Sequence, residues 1–583
     1  MEGFKTMEST FYSVNTLADI LGTSVATVQK WGDSGIYPLQ IDEKGRVGFM
    51  SQDLMQIEAI RDMNNGEWYK EFQSKPKRIF TSVELFAGAG GLALGLDMAG
   101  FHHVLLNEFD EQACNTLRVN RPNWNVYEGD IHNVDFTPLR DKIDLLSGGF
   151  PCQAFSYAGK KGGLNDTRGT LFFELARAVN EIRPKVFLCE NVKGLQSHDG
   201  GRTLEIIRNA IKELGYTLVE PRVLKAIMYQ VPQKRERIIL IAIRNDYADK
   251  VTFKWPSPFH RVMTLRDAFF KGELFPTDVP KSEGQLYPDK KRKVMELVPE
   301  GGDWRDLPIE QQKAYMGGSF YLGGGKTGMA RRLSMDEPSL TLVCSPAQKQ
   351  TERCHPIETR PLNIREYARI QTFPDNWKFM GKMADQYKQI GNAVPVNLAY
   401  AIGRAVIRLM NDIDNVCPEK YNFEEINEIA KSMLPSCPLQ LNLFALFEQY
   451  PDGILAEPKK TYKSNWKNLL ISLISDKLRH DFDECKGEIY YTGCKFPSTI
   501  SLQKLQLFIP YIKGKGIRDL YRITKIRVAS KREVDQKAKK SDFRIFFELK
   551  FIRRIFDEYK PISLDIWRTY NFSSLESILE DNS

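Results

Sequence analysis

Between residues 11 and 35 the apolar positions of FYSVNTLADILGTSVATVQKWGDSG fall at helical spacing. Leu17, Ile20 and Leu21 share one face, Gly22 marks a turn, and Val25, Val28 and Trp31 share a face of a second helix, which is a helix-turn-helix pattern. The polar, proline-containing stretch NNGEWYKEFQSKPKR reads as a linker. From residue 79 the period changes. The runs IFTSVELF, HHVLLNE, KIDLLSGG, KVFLCEN and IILIAIRN alternate with helix-like segments, which predicts a parallel, doubly wound α/β sheet covered on both faces. Residues 246–359 become irregular and rich in Gly, Pro and Lys, as expected of an inserted module, before helical patterning returns at NIREYARIQTF. The expected organisation is a helical module and linker over 1–74, an α/β domain in two parts over 75–245 and 360–416, an insert over 246–359, and a C-terminal mixed α/β region over 417–583.

A chain of 583 residues with 42% hydrophobic and 11% aromatic content can bury several cores, so three or four domains are expected. No run of about 18 uncharged apolar residues occurs, and MEGFKTMEST lacks a basic segment followed by an apolar one. Neither a membrane span nor a signal peptide is expected, and the reading is a cytoplasmic protein. The nine cysteines include no CxxC pair, which argues against a disulfide framework or a thiolate metal site. The net charge of +8 is compatible with a polyanionic partner and is unevenly placed. Between Lys504 and Arg554 there are 16 Lys or Arg against 5 Asp or Glu, interleaved with Phe508, Tyr511, Tyr521, Phe543 and Phe546. A solvated charged face and a nucleic-acid surface both fit that segment.

The chemistry gathers at the ends of the expected strands. SVELFAGAGGLALGL puts Gly88, Gly90 and Gly91 where a strand turns into a helix and a ligand can approach the backbone. Glu108, ending the next strand in LLNEFD, is placed to accept hydrogen bonds from the ribose hydroxyls of a nucleoside cofactor, and Asp130 in EGDIHN to receive an adenine amino group. DLLSGGFPCQAFSYAG places Cys152 behind Gly148, Gly149 and Pro151 at the same sheet edge. A lone cysteine is usually an inert buried thiol. One strand later KVFLCENVKGL projects Glu190 toward the same crevice, which favours a reactive role for Cys152, whereas Cys189 faces the core.

With FAGAGG, NEFD, GDI, GGFPCQAFS, RGTLFFE, ENV, QKRERI, REYARIQTFPDNW and QIGNAVPVNLA in this order, the chain resembles the DNA cytosine-5 methyltransferase family over roughly residues 79–245 and 360–408. The resemblance implies a Rossmann-like methyltransferase domain with 246–359 as its target recognition domain. It also implies that Phe86, Gly88, Gly90, Glu108, Asp130, Asn392, Ala393 and Val394 hold S-adenosylmethionine, and that Cys152, Glu190, Arg235 and Arg237 surround a cytosine turned out of the duplex. A thiolate attacking carbon 6 gives carbon 5 enamine-like density, and no metal is required. Glu190 would stabilise the charge at ring nitrogen 3, while Arg235 would orient the base and ease thiolate formation. The loop QAFSYAGKKGGLNDTRGT is suited to closing over that base.

Residues 11–50 resemble the winged-helix N-terminal module of MerR-type regulators, with Thr27, Gln29 and Lys30 as DNA contacts and a wing around Lys44 and Arg46. Such a module implies a second DNA site, separable from methylation. In the insert, Lys326, Arg331, Arg332, Gln348 and Lys349 are the groove candidates, as base readers or as phosphate clamps. The C-terminal strand-like runs loosely resemble ASCH-type or EVE-type barrels. Asp535, Glu548 and Lys550 form a degenerate D…ExK pattern, but no hydrophobic strand precedes the acid. Double-stranded DNA is the expected partner, with a cognate restriction endonuclease as a functional one in a bacterial restriction-modification system. A tRNA cytosine-5 methyltransferase is the rival, disfavoured by the absence of a CFT tripeptide; a regulator with a vestigial methyltransferase fold is the other.

Overall fold

The computed structural model describes residues 10–71, 73–150, 171–322, 326–418 and 422–434, together with the strands of one sheet beyond them. Residues 1–433 and 434–583 form two compact units. In the first, strand β1 (Phe11–Ser13) leads into helix α1 (Val14–Leu21), whose N-cap Ser13 accepts from the Thr16 amide and whose C-cap Gly22 is left-handed with φ 71°. Helix α2 (Val25–Asp33) starts at the Ser24 cap, and β2 (Gln40–Ile41) and β3 (Val47–Met50) complete a small antiparallel sheet ordered β1-β3-β2. Leu17, Ile20 and Val28 are buried as the spacing requires, but Val25 is 48% exposed, because it opens α2 on the side away from α1.

This module does not stand apart. Tyr12, Val14, Leu17, Ile20, Phe49 and Leu54 share one apolar cluster with Ile227, Met228 and Val262. The expected linker is also fixed: helix α4 (Trp68–Glu71), which follows α3 (Glu58–Asn65), has its Trp68 carbonyl bonded by Arg404 Nη1 at 3.1 Å. The Arg404 guanidinium lies 4.4 Å from the Trp68 ring centroid, and Arg408 pairs with Glu71 at 2.5 Å. A tryptophan stacked on one arginine and a glutamate paired with another make a packed joint rather than a tether.

The main sheet contains β4 (Phe80–Leu85), β5 (Phe101–Glu108), β6 (Val126–Glu128), β7 (Leu145–Gly149), β8 (Val186–Val192), β9 (Tyr216–Leu218), β10 (Arg222–Lys225) and β12 (Glu236–Arg244). Its order is β10-β12-β8-β7-β4-β5-β6, with β9 beside β12. Strands β4 to β8 are parallel, as expected, but β12 runs antiparallel to β8, and β10 and β9 each pair antiparallel with β12, so the sheet is mixed. The chain proceeds outward from β4 through β5 and β6, then returns to β7 on the other flank. That reversal opens a crevice between the carboxyl ends of β4 and β7.

Helix α5 (Gly91–Ala99) follows β4, and the helix Val396–Val416 packs against it over a core including Leu96, Leu398, Ala399 and Ile402. The stretch Met383–Val416 is the described one long and apolar enough to cross a membrane, yet 83% of its most apolar window is buried inside the fold. The helix Phe423–Met433 lies with this unit, its Asn427 accepting from Asn125 Nδ2 at 2.8 Å. The unit therefore ends beyond residue 416.

In 434–583 the strands are β14 (Ile454–Ala456), β15 (Leu469–Ile474), β16 (Ile489–Tyr491), β17 (Leu507–Ile512), β18 (Asp519–Ser530), β19 (Phe543–Arg554) and β20 (Thr569–Tyr570). They form a mixed sheet ordered β16-β19-β18-β17-β15-β20, with β14 on β18 and only the β15–β17 pairing parallel. Strands β16 to β19 lie on the strand-like runs GEIYYTG, QLFIPYIKGKG, YRITKIRV and DFRIFFELKF. Asp535 lies outside the described residues.

Candidate active site

The turn after β4 is built for close approach. Phe86 has φ 58°, a conformation a bulky side chain rarely adopts, and Gly88 follows at φ 54° with open space where a Cβ would sit. The Gly88 amide donates to Glu108 Oε2 at 2.7 Å, while Glu108 Oε1 accepts from the amides of Phe109 at 2.8 Å and Asp110 at 2.7 Å. Three of about four acceptor positions on this carboxylate are thus taken, which fixes it at the end of β5 and leaves room for one further donor. Asp130 is exposed and accepts from the His132 amide at 3.0 Å and its Nδ1 at 2.6 Å. Those bonds hold its carboxyl below the ordinary range. Asn392 ends the helix Met383–Asn392, and Ala393 and Val394 lie in the turn before the helix Val396–Val416. A Cβ on Gly91 would meet the Val394 carbonyl at 2.2 Å, so this turn lies against the start of α5.

Across the crevice, Gly149 pairs with Glu190 between β7 and β8. A Cβ on Gly149 would fall 2.9 Å from Glu190 Oε2, so only glycine leaves that carboxylate its place. Glu190 Oε1 is held by Arg237 Nε at 2.5 Å, both side chains being 12% exposed. Asn191 Nδ2 donates to the Phe150 carbonyl at 2.9 Å and so anchors the last residue described after β7, two positions before Cys152. Cys152 itself lies outside the described residues. Cys189 is fully buried, and burial pushes its thiol up, consistent with a core position. Asn191 belongs to the ENV tripeptide, but its anchoring bond depends on a neighbouring strand and had no local signal.

The two arginines expected at the base do different things. Arg237 carries the ion pair to Glu190. Arg235 is buried and donates to the carbonyls of Leu342 at 3.3 Å, Gly391 at 3.2 Å and Asn392 at 3.4 Å. Burial, with Arg237 beside it, brings its guanidinium down to about 9. Its expected role in orienting the base is corrected to one of holding main chain beneath the crevice. Gln233 opens the QxRxR pattern that continues with Arg235 and Arg237, and Gln371 lies in REYARIQTFPDNW; the sequence assigns neither a partner. Gln233 Nε2 donates to Gln371 Oε1 at 2.9 Å, and Gln371 Nε2 in turn donates to the Ile390 and Ala393 carbonyls at 2.7 and 3.1 Å. Strand β11 (Gln233–Lys234) pairs in parallel with β13 (Ser339–Leu340), tying the insert to the same place.

Two groove candidates are overturned by their hydrogen bonds. Arg332 is buried and donates to the carbonyls of Met295, Val298, His355, Pro356 and Glu358 and to Thr359 Oγ1, so its guanidinium is occupied inside the insert. Lys326 Nζ bonds the Leu322 carbonyl at 2.6 Å and the Ser319 carbonyl. Arg331 is 3.6 Å from Asp303, the Gln348 amide oxygen accepts from Thr351 Oγ1 at 3.2 Å, and Lys349 lies 5.1 Å from the Tyr315 ring centroid. In the N-terminal module Gln29 Nε2 donates to Asp33 at 3.1 Å, and Lys30 is exposed on α2. The wing charges are engaged: Lys44 pairs with Asp336 at 2.6 Å and Arg46 with Asp42 at 2.7 Å. Among the described residues no cluster of His, Cys, Asp and Glu could hold a metal ion.

Residues 80–408 match the family model described as C-5 cytosine-specific DNA methylase. The type II methyltransferase M.Eco47II of Escherichia coli is 60% identical over 404 residues, spanning 69% of this chain and 97% of that protein. M.PspPI of Psychrobacter sp. (strain TA137) is 60% identical over 401 residues, 69% of this chain and 96% of its own. M.Sau96I of Staphylococcus aureus is 52% identical over 339 residues, 58% of this chain and 77% of its own.

Proposed function

The chain belongs to the C-5 cytosine-specific DNA methylase family, and from that premise we propose how its own residues carry methyl transfer to carbon 5 of cytosine in DNA. The observation that carries the reading is the Glu190–Arg237 pair facing Gly149, three positions before Cys152 in the chain, on the sheet edge that also carries Glu108. Cys152 adds as a thiolate to carbon 6 of a cytosine turned out of the helix, breaking its aromaticity and raising electron density at carbon 5. Arg237 pairs with one oxygen of Glu190, and the other, Oε2, meets ring nitrogen 3 and delivers a proton to it as negative charge develops there. Loss of the carbon 5 proton and of the Cys152 thiol then restores the aromatic base.

The open space over Gly88 and the remaining acceptor position of Glu108 fit a nucleoside, so Phe86, Gly88, Gly90, Glu108, Asp130 and Asn392–Val394 are assigned to S-adenosylmethionine. That molecule supplies the methyl group. The reading places the enzyme in the bacterial cytoplasm on double-stranded DNA, as the modification partner of a nuclease with the same target. Arg331, Gln348 and Lys349 remain the groove contacts of the insert as a target recognition domain. Residues 10–50 are read as a winged helix touching DNA through Thr27, Gln29 and Lys30, on the same compact unit that methylates. The expectation of a separable module is withdrawn, since deleting 1–70 would uncover Ile227, Met228 and Val262. Incubation with labelled S-adenosylmethionine and either duplex DNA or tRNA, followed by bisulfite sequencing of the DNA, tests the assignment. Label in tRNA alone, or in neither, refutes it.

A further inference from the structure

The N-terminal module meets the rest of the unit at a few residues close to the crevice. Lys225 Nζ donates to the carbonyls of Asp19 at 3.3 Å and Ile20 at 2.6 Å, closing the last turn of α1. Lys234 Nζ lies 2.6 Å from Asp19 Oδ2 and 3.6 Å from Glu337. Asn15 Nδ2 donates to Glu337 Oε1 at 2.8 Å, and Arg46 Nη1 to the Asp336 carbonyl at 3.1 Å. The module therefore grips both chains of the β11–β13 pairing, Lys234 on one side and Asp336 and Glu337 just ahead of the other.

That pairing joins only Gln233–Lys234 to Ser339–Leu340. Two residues a side are too few to hold a register unaided. Along the strand the side chains alternate: Gln233 and Arg235 are buried on the crevice side, and Lys234 turns outward onto α1. Two residues beyond Arg235 stands Arg237, the partner of Glu190. Helix α1 abuts the outer side of the strand whose inner side and continuation shape the cytosine pocket.

We propose that Asp19 is a positioning residue for methyl transfer: by holding Lys234 it fixes β11, and with it the main chain that presents Arg235 and Arg237. The N-terminal module thereby acts in every turnover, whatever DNA it contacts. The proposal rests on the assignment of Arg237 and Glu190 to the cytosine pocket, and covalent trapping tests that assignment separately.

The experiment uses the full chain in single-turnover methylation of duplex DNA, with Asp19→Asn, Asp19→Glu, Lys234→Met and the Asp19→Asn/Lys234→Met double variant. Active enzyme is counted by its covalent adduct on DNA carrying 5-fluorocytosine at the target, so that loss of folded protein is not read as loss of rate. The rate per active site should fall about 3- to 10-fold in Asp19→Asn and in Lys234→Met, and no further in the double variant. Asp19→Glu should recover part of it, and KM for S-adenosylmethionine should stay within about twofold of the parent. An unchanged rate per active site in Asp19→Asn overturns the proposal, including where melting temperature falls, because the pair is then only stabilising. Multiplying losses in the double variant overturn it too. Absence of any adduct in the parent enzyme would instead strike at the pocket assignment.

Discussion

Replacing Gly149 by alanine adds one methyl group directly against the Glu190 carboxylate. The new Cβ would sit 2.9 Å from Glu190 Oε2, whereas ordinary contacts begin near 3.4 Å, so the carboxylate must retreat by about half an ångström. It cannot retreat without turning its other oxygen away from Arg237, now at 2.5 Å. The backbone at Gly149 is not left-handed, so alanine brings no conformational strain and lowers unfolded-state entropy, a gain of about 0.4 to 1 kcal/mol. A displaced rotamer of Glu190 costs about 0.5 to 1.5 kcal/mol, and the two nearly cancel. Catalysis is not so buffered: a misplacement approaching 1 Å can cost about 100-fold in rate, equivalent to about 2.7 kcal/mol of transition-state stabilisation. Gly149→Ala should therefore melt within about 3 °C of the parent yet methylate about 10- to 100-fold more slowly in single turnover. Parent-like methylation with an unchanged melting curve would show that the Glu190 carboxylate is not positioned by this contact.

Other variants probe the remaining parts. Cys152→Ser should abolish methyl transfer while leaving S-adenosylmethionine binding intact by calorimetry, because a hydroxyl is a far weaker nucleophile at neutral pH; measurable turnover would remove the thiol from its role. Glu108→Ala should weaken S-adenosylmethionine binding by about 1.5 to 3 kcal/mol, since the carboxylate both meets the ligand and orders the Gly88 turn; calorimetry with equal affinity would contradict it. Glu84, buried under that turn and bonded by Ser147 Oγ at 3.2 Å, is raised by burial from an ordinary value near 4.5 to about 8. It is protonated in the folded state and ionised in the unfolded one between those values, so its contribution to stability is complete below about pH 4.5 and is lost as pH rises through about 8. Glu84→Gln should flatten urea-unfolding midpoints across that window, and an identical pH slope in both proteins would refute the assignment.

The sequence alone exposed what local pattern encodes. Alternating strands and helices announced the α/β sheet, and chemically unusual residues at strand ends, Glu108, Cys152 and Glu190, marked one edge of it. Partners distant in the chain were not legible. Nothing near Arg332 says that its fork will meet carbonyls at residues 295 and 355, so it read as a free cation. Arg235 and Arg237 are indistinguishable in QKRER, and only the antiparallel register of β12 on β8 decides which reaches Glu190. That pairing was itself hidden, because a strand buried inside a sheet shows the same apolar run in either direction. The N-terminal module read as separable because the partners of its apolar face, Ile227, Met228 and Val262, lie far along the chain.

The short β11–β13 seam also fixes how this enzyme could be recombined. Composition changes at residues 246 and 360, but the polypeptide leaving β11 comes back to lie against it at β13, so the insert is tied at its base. A chimera cut at the compositional borders would keep its own Gln233 and Lys234 and receive a foreign Ser339, Leu340 and Leu342, although Gln233 Oε1 accepts from the Leu342 amide at 3.0 Å and Arg235 donates to its carbonyl. Donor and host would then meet at mismatched surfaces in the floor of the catalytic crevice. Exchanging the stretch from Gln233 through Thr359 as one block would carry both halves of the base together with Arg332 and its carbonyl partners, so the insert is recombined at that joint rather than where the composition changes.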